Sequence, residues 1–298
     1  MIKLDNLDKI LPPLTTPFDN DEVALNLLSD NIQKYNKFEL GGYVVLGSNG
    51  ESVFLTESEK LKIIRTVREH ASKNKILVAG TGSDSVRQTI NLTNEAANSG
   101  ADFALVITPS FFKNEMKKDT FIRYYTEVAD GVKIPVIIYN VTKFTNVNID
   151  FEAVAKLSEH KNIVGIKNSS ENISQTEQFV SESSQDFKVL IGTASVLFPG
   201  LMVGASGGIL ALANVAPEEC ISILDLVMQK KFDEAKKIQD KLIPVNTALT
   251  SKYGVAGLKA SMDLCGYNGG LPRSPLYGLK DEQLNDLKSI LKQANLIG

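Results

Sequence analysis

The chain has 298 residues, 43% hydrophobic and 22% charged, and its 32 Lys+Arg against 35 Asp+Glu leave a formal charge of −3. That balance carries neither the basic footprint of a nucleic-acid binder nor a polyacidic tail, and ten Pro with 21 Gly exclude disorder and collagen-like order alike. Two cysteines, Cys220 and Cys265, are too few for a disulfide framework and fit no zinc spacing. The polar start at 1–10 lacks the apolar core of a signal peptide, and no apolar run reaches the roughly 18 residues of a membrane helix. The expectation is a soluble, cytoplasmic chain with no nucleic-acid or membrane partner.

Taken in chain order, predicted strands and helices alternate. The run at 10–16 carries Pro12 and Pro13 and reads as a first strand distorted by proline. Seven further runs follow: 42–48 (GYVVLGS), 76–81 (ILVAGT), 103–109 (FALVITP), 135–140 (PVIIYN), 163–168 (IVGIKN), 188–193 (KVLIGT) and 207–214 (GGILALAN). Each is short and almost continuously apolar, as a parallel strand covered on both faces must be. Amphipathic segments with capping signals lie between them. Thr56-Glu57-Ser58-Glu59 opens one helix, Asp84 and Ser85 precede another, and Pro217-Glu218-Glu219 starts a third with proline and acids where a first turn tolerates them.

Eight such units predict an α/β fold, a (β/α)₈ TIM barrel. The rival, a doubly wound open sheet, shows a glycine fingerprint after its first strand, and none is present. Beyond Asn214, helical patterns at 233–252, 254–265 and 280–293 predict a C-terminal three-helix extension, with a Gly- and Pro-containing linker at 266–277. The expected division is a barrel at 1–230 and a helical extension packed on it at 231–298.

In this fold chemistry gathers where strands finish. The residues there are polar and almost uncharged, and the one cation among them is Lys167. Period-two alternation puts 163, 165 and 167 on one side, with Gly165 clearing space beneath the lysine. Two readings remain open. A lysine inside the barrel is desolvated, which lowers its pKa and frees the amine to attack a carbonyl as a Schiff-base former; a lysine past the strand end snorkels to water. Tyr139 ends the fifth run, either as a proton shuttle or as an aromatic filling the barrel mouth. Gly47-Ser48-Asn49-Gly50-Glu51-Ser52 offers backbone N–H, hydroxyl and amide groups to a carboxylate, or is a plain βα turn. The glycine-rich stretch at 200–208 enters a strand instead of leaving one, and His70 and His160 fall late in helices, all on the stability face. With no cluster of His, Cys or carboxylates at the strand ends, neither a metal nor a cofactor is expected.

Together these residues resemble the family of pyruvate-dependent class I aldolases and synthases that includes dihydrodipicolinate synthase, N-acetylneuraminate lyase, 4-hydroxy-2-oxoglutarate aldolase and the 2-keto-3-deoxy-sugar-acid aldolases. The resemblance runs from PLTTPF at 13–18 through GSNGE at 47–51, AGTG at 79–82 and TP at 108–109. It continues through YN at 139–140, VGIK at 164–167 and ALANV at 211–215. It implies a homotetrameric (β/α)₈ barrel in which Lys167 captures pyruvate as a Schiff base and Tyr139 relays protons. Ser48 and Asn49 would bind the pyruvate carboxylate, and Ile209 would touch the pyruvyl group through its backbone.

Departures sharpen the expectation. Phe144 stands where the synthase branch carries an arginine for the second carboxylate, with Lys143 beside it pointing elsewhere. Phe111 replaces the tyrosine that completes the proton relay across a dimer, so the hydroxyl chain from Ser48 to Tyr139 is expected to be interrupted. GSNGE and the run Lys167-Asn168-Ser169 resemble the aldolase branches, with Ser169 and Gly192 expected to line the aldehyde side. The leading expectation is therefore an aldolase that cleaves a 4-hydroxy-2-oxo acid to pyruvate and an aldehyde. Its alternatives are a dihydrodipicolinate synthase condensing pyruvate with aspartate semialdehyde, and a non-catalytic oxo-acid sensor on the same barrel.

Overall fold

Each of the eight apolar runs contains a parallel strand: β1 Ile10–Leu11, β2 Gly42–Val45, β3 Ile76–Gly80, β4 Phe103–Ile107, β5 Val136–Asn140, β6 Ile163–Asn168, β7 Lys188–Ile191 and β8 Gly207–Ile209. The computed structural model describes residues 4–298, so residues 1–3 of the polar start lie outside the described residues. The strands pair in the order β1-β8-β7-β6-β5-β4-β3-β2. Proline explains how the ring closes. Pro12 and Pro13 donate no N–H, which limits the ladder at β1. Val44 N instead donates to Pro12 O at 3.1 Å and Leu14 N to Val44 O at 2.8 Å, joining β1 to β2. The eight-stranded barrel is thus present.

Six of the runs end earlier than expected, two of them for a visible reason. β2 stops at Val45 because Leu46 turns into left-handed backbone at φ 59°. The last run, expected over 207–214, is a strand only to Ile209; Ala211–Asn214 is a 3-10 turn whose Asn214 amide bonds Pro13 O and Ala211 O.

The helices α1 Leu25–Tyr35, α2 Glu57–His70, α3 Val86–Asn98, α4 Lys118–Gly131, α5 Phe151–Ser158, α6 Ile173–Glu182, α7 Leu197–Met202 and α8 Pro217–Met228 surround the strands. Two of the announced helix starts are capped by side chains. Thr56 and Glu59 form a reciprocal capping box on α2, and Ser85 accepts from Gln88 N on α3. Side chains such as Leu11, Val44, Leu105 and Ile137 fill the barrel interior, while a separate layer seals strands against helices.

After α8 come α9 Phe232–Thr247, α10 Gly254–Leu264 and α11 Asp281–Gln293. The single helix expected at 233–252 is two pieces: α9, with Pro244 inside it, gives way to a π-helical turn at Ala248–Lys252. Leu242, Leu258, Met262 and Leu287 join the same buried cluster as Leu14 and Leu46 of the barrel. Each such side chain contributes about 1.5–3 kcal/mol by leaving water, so the appendix is held by a core it shares with the barrel. Among the described residues no helix is long and apolar enough to cross a membrane.

Candidate active site

β5 and β6 carry the two reactive side chains to the same level, since Tyr139 pairs with Lys167 and Asn140 with Asn168. The register slips once on the way: Val136 faces Ile163, but Ile137 faces Gly165. This bulge overturns the simple alternation expected for 163, 165 and 167. Ile163 packs in the outer layer with Val136 and Ile166, whereas Val164 packs against the interior. Gly165 has a different task from the one expected. A Cβ there would stand 2.5 Å from the Lys188 carbonyl oxygen, so glycine is required for β7 to approach β6, not to make room beneath the lysine.

Lys167 is 3% exposed. Its Nζ stands 4.1 Å from the centroid of the Tyr139 ring, a contact worth about 0.5–2 kcal/mol. Among the described residues no carboxylate forms an ion pair with it. The snorkelling alternative is therefore not realised. Behind the pair, buried amides tie the strand ends together: Asn140 Nδ2 donates to Asn168 Oδ1 at 3.0 Å and to Asn148 Oδ1 at 2.8 Å.

Opposite them lies the turn after β2. Gly47 leads into the 3-10 turn Ser48–Gly50, and Glu51 follows in left-handed backbone at φ 54°. Ser48 and Asn49 are half-buried. The Ser48 and Tyr139 hydroxyl oxygens lie 3.5 Å apart, a long hydrogen bond in which either group donates. This corrects the expectation of an interrupted chain between them, because their contact does not pass through residue 111. Phe111 is 77% exposed and meets Phe112 edge-to-face at 5.1 Å. Its loop is held by Asp84 Oδ1, which accepts from Ser110 N at 2.6 Å and Phe111 N at 2.8 Å.

Gly47, Ser48, Gly80, Ile107 and Tyr139 line a cleft at this end of the barrel, together with Lys60 of α2. Lys60 escaped sequence reasoning because nothing distinguishes it from a solvated helix residue. Ser169 and Gly192 are in direct contact: Ser169 Oγ donates to Gly192 O at 3.4 Å, and a Cβ at 192 would fall 2.1 Å from that Oγ. Ile209 is wholly buried in the interior, opposite Leu11. Phe144 is not brought to the cleft; it is 62% exposed. Lys143 donates to Thr250 O at 2.6 Å, so its charge is directed away, as expected.

A second charged assembly, beneath the Ser48 turn, was also missed. Glu51 Oε1 lies 2.6 Å from Lys259 Nζ, both side chains essentially without exposure. Burial lowers the Lys259 pKa while Glu51 opposes it. Arg273 pairs with Glu59 at 2.8 Å and holds that carboxyl down at about 2. The glutamate is visible within GSNGE, but its partners lie more than 200 residues away in sequence. Elsewhere, the histidines serve local bonds, His160 to Asp130 and His70 to Thr66 O. Burial pushes both thiols up, Cys265 to about 11.

Comparison with known proteins accords with this geometry. The profile of the dihydrodipicolinate synthetase family matches residues 6–294. A 4-hydroxy-tetrahydrodipicolinate synthase of Geotalea daltonii is 33% identical over 288 residues, covering 95% of this chain and 97% of the relative. That of Haloarcula marismortui is 32% identical over 284 residues, covering 95% and 92%. Among solved structures, dihydrodipicolinate synthase from Aquifex aeolicus superposes with a TM-score of 0.91 at 31% identity, covering 96% of this chain and 97% of the other. YagE, a prophage protein of the dihydrodipicolinic acid synthase family from E. coli K12 solved in complex with pyruvate, gives 0.91 at 28% identity, covering 97% and 98%. With its eight-stranded barrel matched over residues 6–294 and by relatives at 32–33% identity, the chain belongs to the dihydrodipicolinate synthetase family of pyruvate-dependent, class I aldolase-type carbon–carbon lyases.

Proposed function

We propose that the protein condenses pyruvate with aspartate semialdehyde, the chemistry of a 4-hydroxy-tetrahydrodipicolinate synthase. The observation that carries the pyruvate half is the buried Lys167 ammonium, which has the Tyr139 ring at 4.1 Å and no carboxylate partner among the described residues. The amine of Lys167 adds to the C2 carbonyl of pyruvate and water leaves, giving an iminium. That iminium accepts the electrons released when a methyl proton departs, and the enamine attacks the aldehyde carbon. Tyr139, in reach of Ser48, moves the protons. Ser48 and Asn49 bind the pyruvate carboxylate by hydroxyl and amide, Ile209 offers backbone, and Ser169 and Gly192 flank the aldehyde. The amino group of the added aspartate semialdehyde then attacks the imine carbon, closing the ring as the bond to Lys167 breaks and the lysine amine is released, so no cofactor or metal enters the scheme.

The choice of aldehyde rests on the relatives, which support the synthase over the aldolase that the sequence put first. One observation favours the aldolase: Phe144 supplies no cation for a second carboxylate and Lys143 is directed to Thr250 O. A sensor without turnover is favoured by no specific observation, since the curated relatives are synthases. Two assays on the purified protein decide: turnover of pyruvate with aspartate semialdehyde, and aldehyde release from 4-hydroxy-2-oxo acids. Activity confined to the second assay overturns the synthase reading. We also propose a homotetramer, supported by the exposed Phe111–Phe112 pair, which a second subunit would cover; light scattering of a monomer would refute it.

A further inference from the structure

The turn that carries Ser48 and Asn49 has little support of its own. Its backbone bonds are Gly50 N to Gly47 O at 3.0 Å and Glu51 N to Ser48 O at 3.2 Å. It ends at Glu51 in left-handed backbone, a conformation disfavoured for any residue with a Cβ. From the barrel, the Thr16 hydroxyl donates to Gly50 O at 2.8 Å. Ser48 adds only its long 3.5 Å contact with the Tyr139 hydroxyl, and the charged braces come from the C-terminal appendix.

Lys259 of α10 reaches Glu51 Oε1 at 2.6 Å, donates to Leu271 O at 2.9 Å, and stands 4.5 Å over the Phe18 ring. The Arg273 backbone N–H donates to Glu51 Oε2 at 2.8 Å. Its guanidinium donates to Phe54 O at 3.0 Å and pairs with Glu59 at the start of α2. The segment from 51 to 59 is therefore clasped at three points by residues from the other end of the chain. A buried ion pair is a poor source of stability compared with apolar packing, but it is directional where apolar contacts can slide. Neither Glu51 nor Lys259 is exposed enough to touch a ligand.

We infer that Glu51 and Lys259 are positioning residues for pyruvate binding: their ion pair fixes where the appendix holds the turn, and thereby where Ser48 and Asn49 meet the carboxylate. This rests on the proposed pyruvate chemistry. The clasp acts on binding and not on the amine, because Lys167 is mounted on a different strand, β6, whose end is tied by the Asn140–Asn168 bond and not by the appendix.

The test is the double variant Glu51→Gln/Lys259→Met, which removes both charges at similar volume and leaves neither uncompensated. Glu51→Asp, which keeps the charge and withdraws it by one methylene, serves if the double variant does not fold. Two readouts are taken. Amide hydrogen exchange across 48–54, without ligand, is expected to accelerate in the variant. Borohydride trapping of pyruvate on Lys167, followed by mass spectrometry, is expected to need on the order of ten-fold more pyruvate for half-saturation, with full labelling still reached. Unchanged exchange, or wild-type half-saturation in a folded variant, overturns the inference; so does incomplete labelling at saturating pyruvate, which would tie the pair to the amine. Wild-type protein that pyruvate never labels refutes the proposed function instead, and the exchange readout then decides the positioning claim alone.

Discussion

Three lysines are buried among the described residues; Lys75 donates to the Phe38 and Leu40 carbonyls at 2.7 Å, and the other two differ in one respect. Each ammonium lies over an aromatic ring, Lys167 over Tyr139 at 4.1 Å and Lys259 over Phe18 at 4.5 Å. Lys259 also has a carboxylate at 2.6 Å and a carbonyl at 2.9 Å, whereas Lys167 forms no ion pair among the described residues. Removing an ammonium from water costs several kcal/mol, and only a fixed counter-charge offsets much of it. Lys259 is thus neutralised and structural. Lys167 is left with an unmet demand that an electrophile can satisfy.

The largest expected effect follows from this difference. Lys167→Ala should abolish borohydride-dependent pyruvate labelling and reduce turnover by at least about a thousandfold, while Lys259→Arg or Lys259→Met keeps a labelled Lys167. Labelling that persists in Lys167→Ala would remove the contrast. Next, Tyr139→Phe should lower kcat by about 10²–10⁴ while still permitting imine trapping, since the ring remains and only the proton-carrying hydroxyl is lost; a kcat within two-fold of wild type would assign the tyrosine to packing. Stability should then move in opposite directions. Lys259→Met is expected to cost about 3–5 kcal/mol in urea unfolding because it strands the Glu51 carboxylate. Lys167→Met should instead gain about 1–2 kcal/mol by removing an uncompensated charge. Equal signs would mean that the two burials are alike.

The smallest effect concerns pH. Arg273 depresses the Glu59 carboxyl from its ordinary 4.5 to about 2. A depressed folded-state pKa contributes stability that is fully present above about 4.5 and is lost as pH falls toward 2. Wild type should therefore lose more stability than Glu59→Gln between those values, read as the difference in urea midpoint. Parallel pH profiles would show that the clasp at Arg273 does not depend on that charge.

Much of the barrel was legible because parallel strands buried on both faces leave continuous apolar runs, and capping chemistry is local. Thr56 with Glu59 and Ser85 with Gln88 lie within three residues of each other. What escaped was set by neighbouring strands or distant segments. The bulge at Ile163–Gly165 arises from the fit of β6 between β5 and β7, and a period-two pattern cannot reveal it. Glu51 reads as a turn residue and Asp84 as a helix-start signal, yet one anchors the appendix and the other holds the Phe111 loop.

The sequence by itself determined the repeating βα units, the extension, and the short list of polar strand ends with Lys167 as their only cation, since these depend on periodicity and on neighbours along the chain. Tertiary structure alone decided which lysine is paired. The partners of Lys259 come from Glu51, Phe18 and Leu271, and the isolation of Lys167 is a property of the whole barrel mouth. Burial and electrostatic pairing depend on distance in space, which the order of residues does not state.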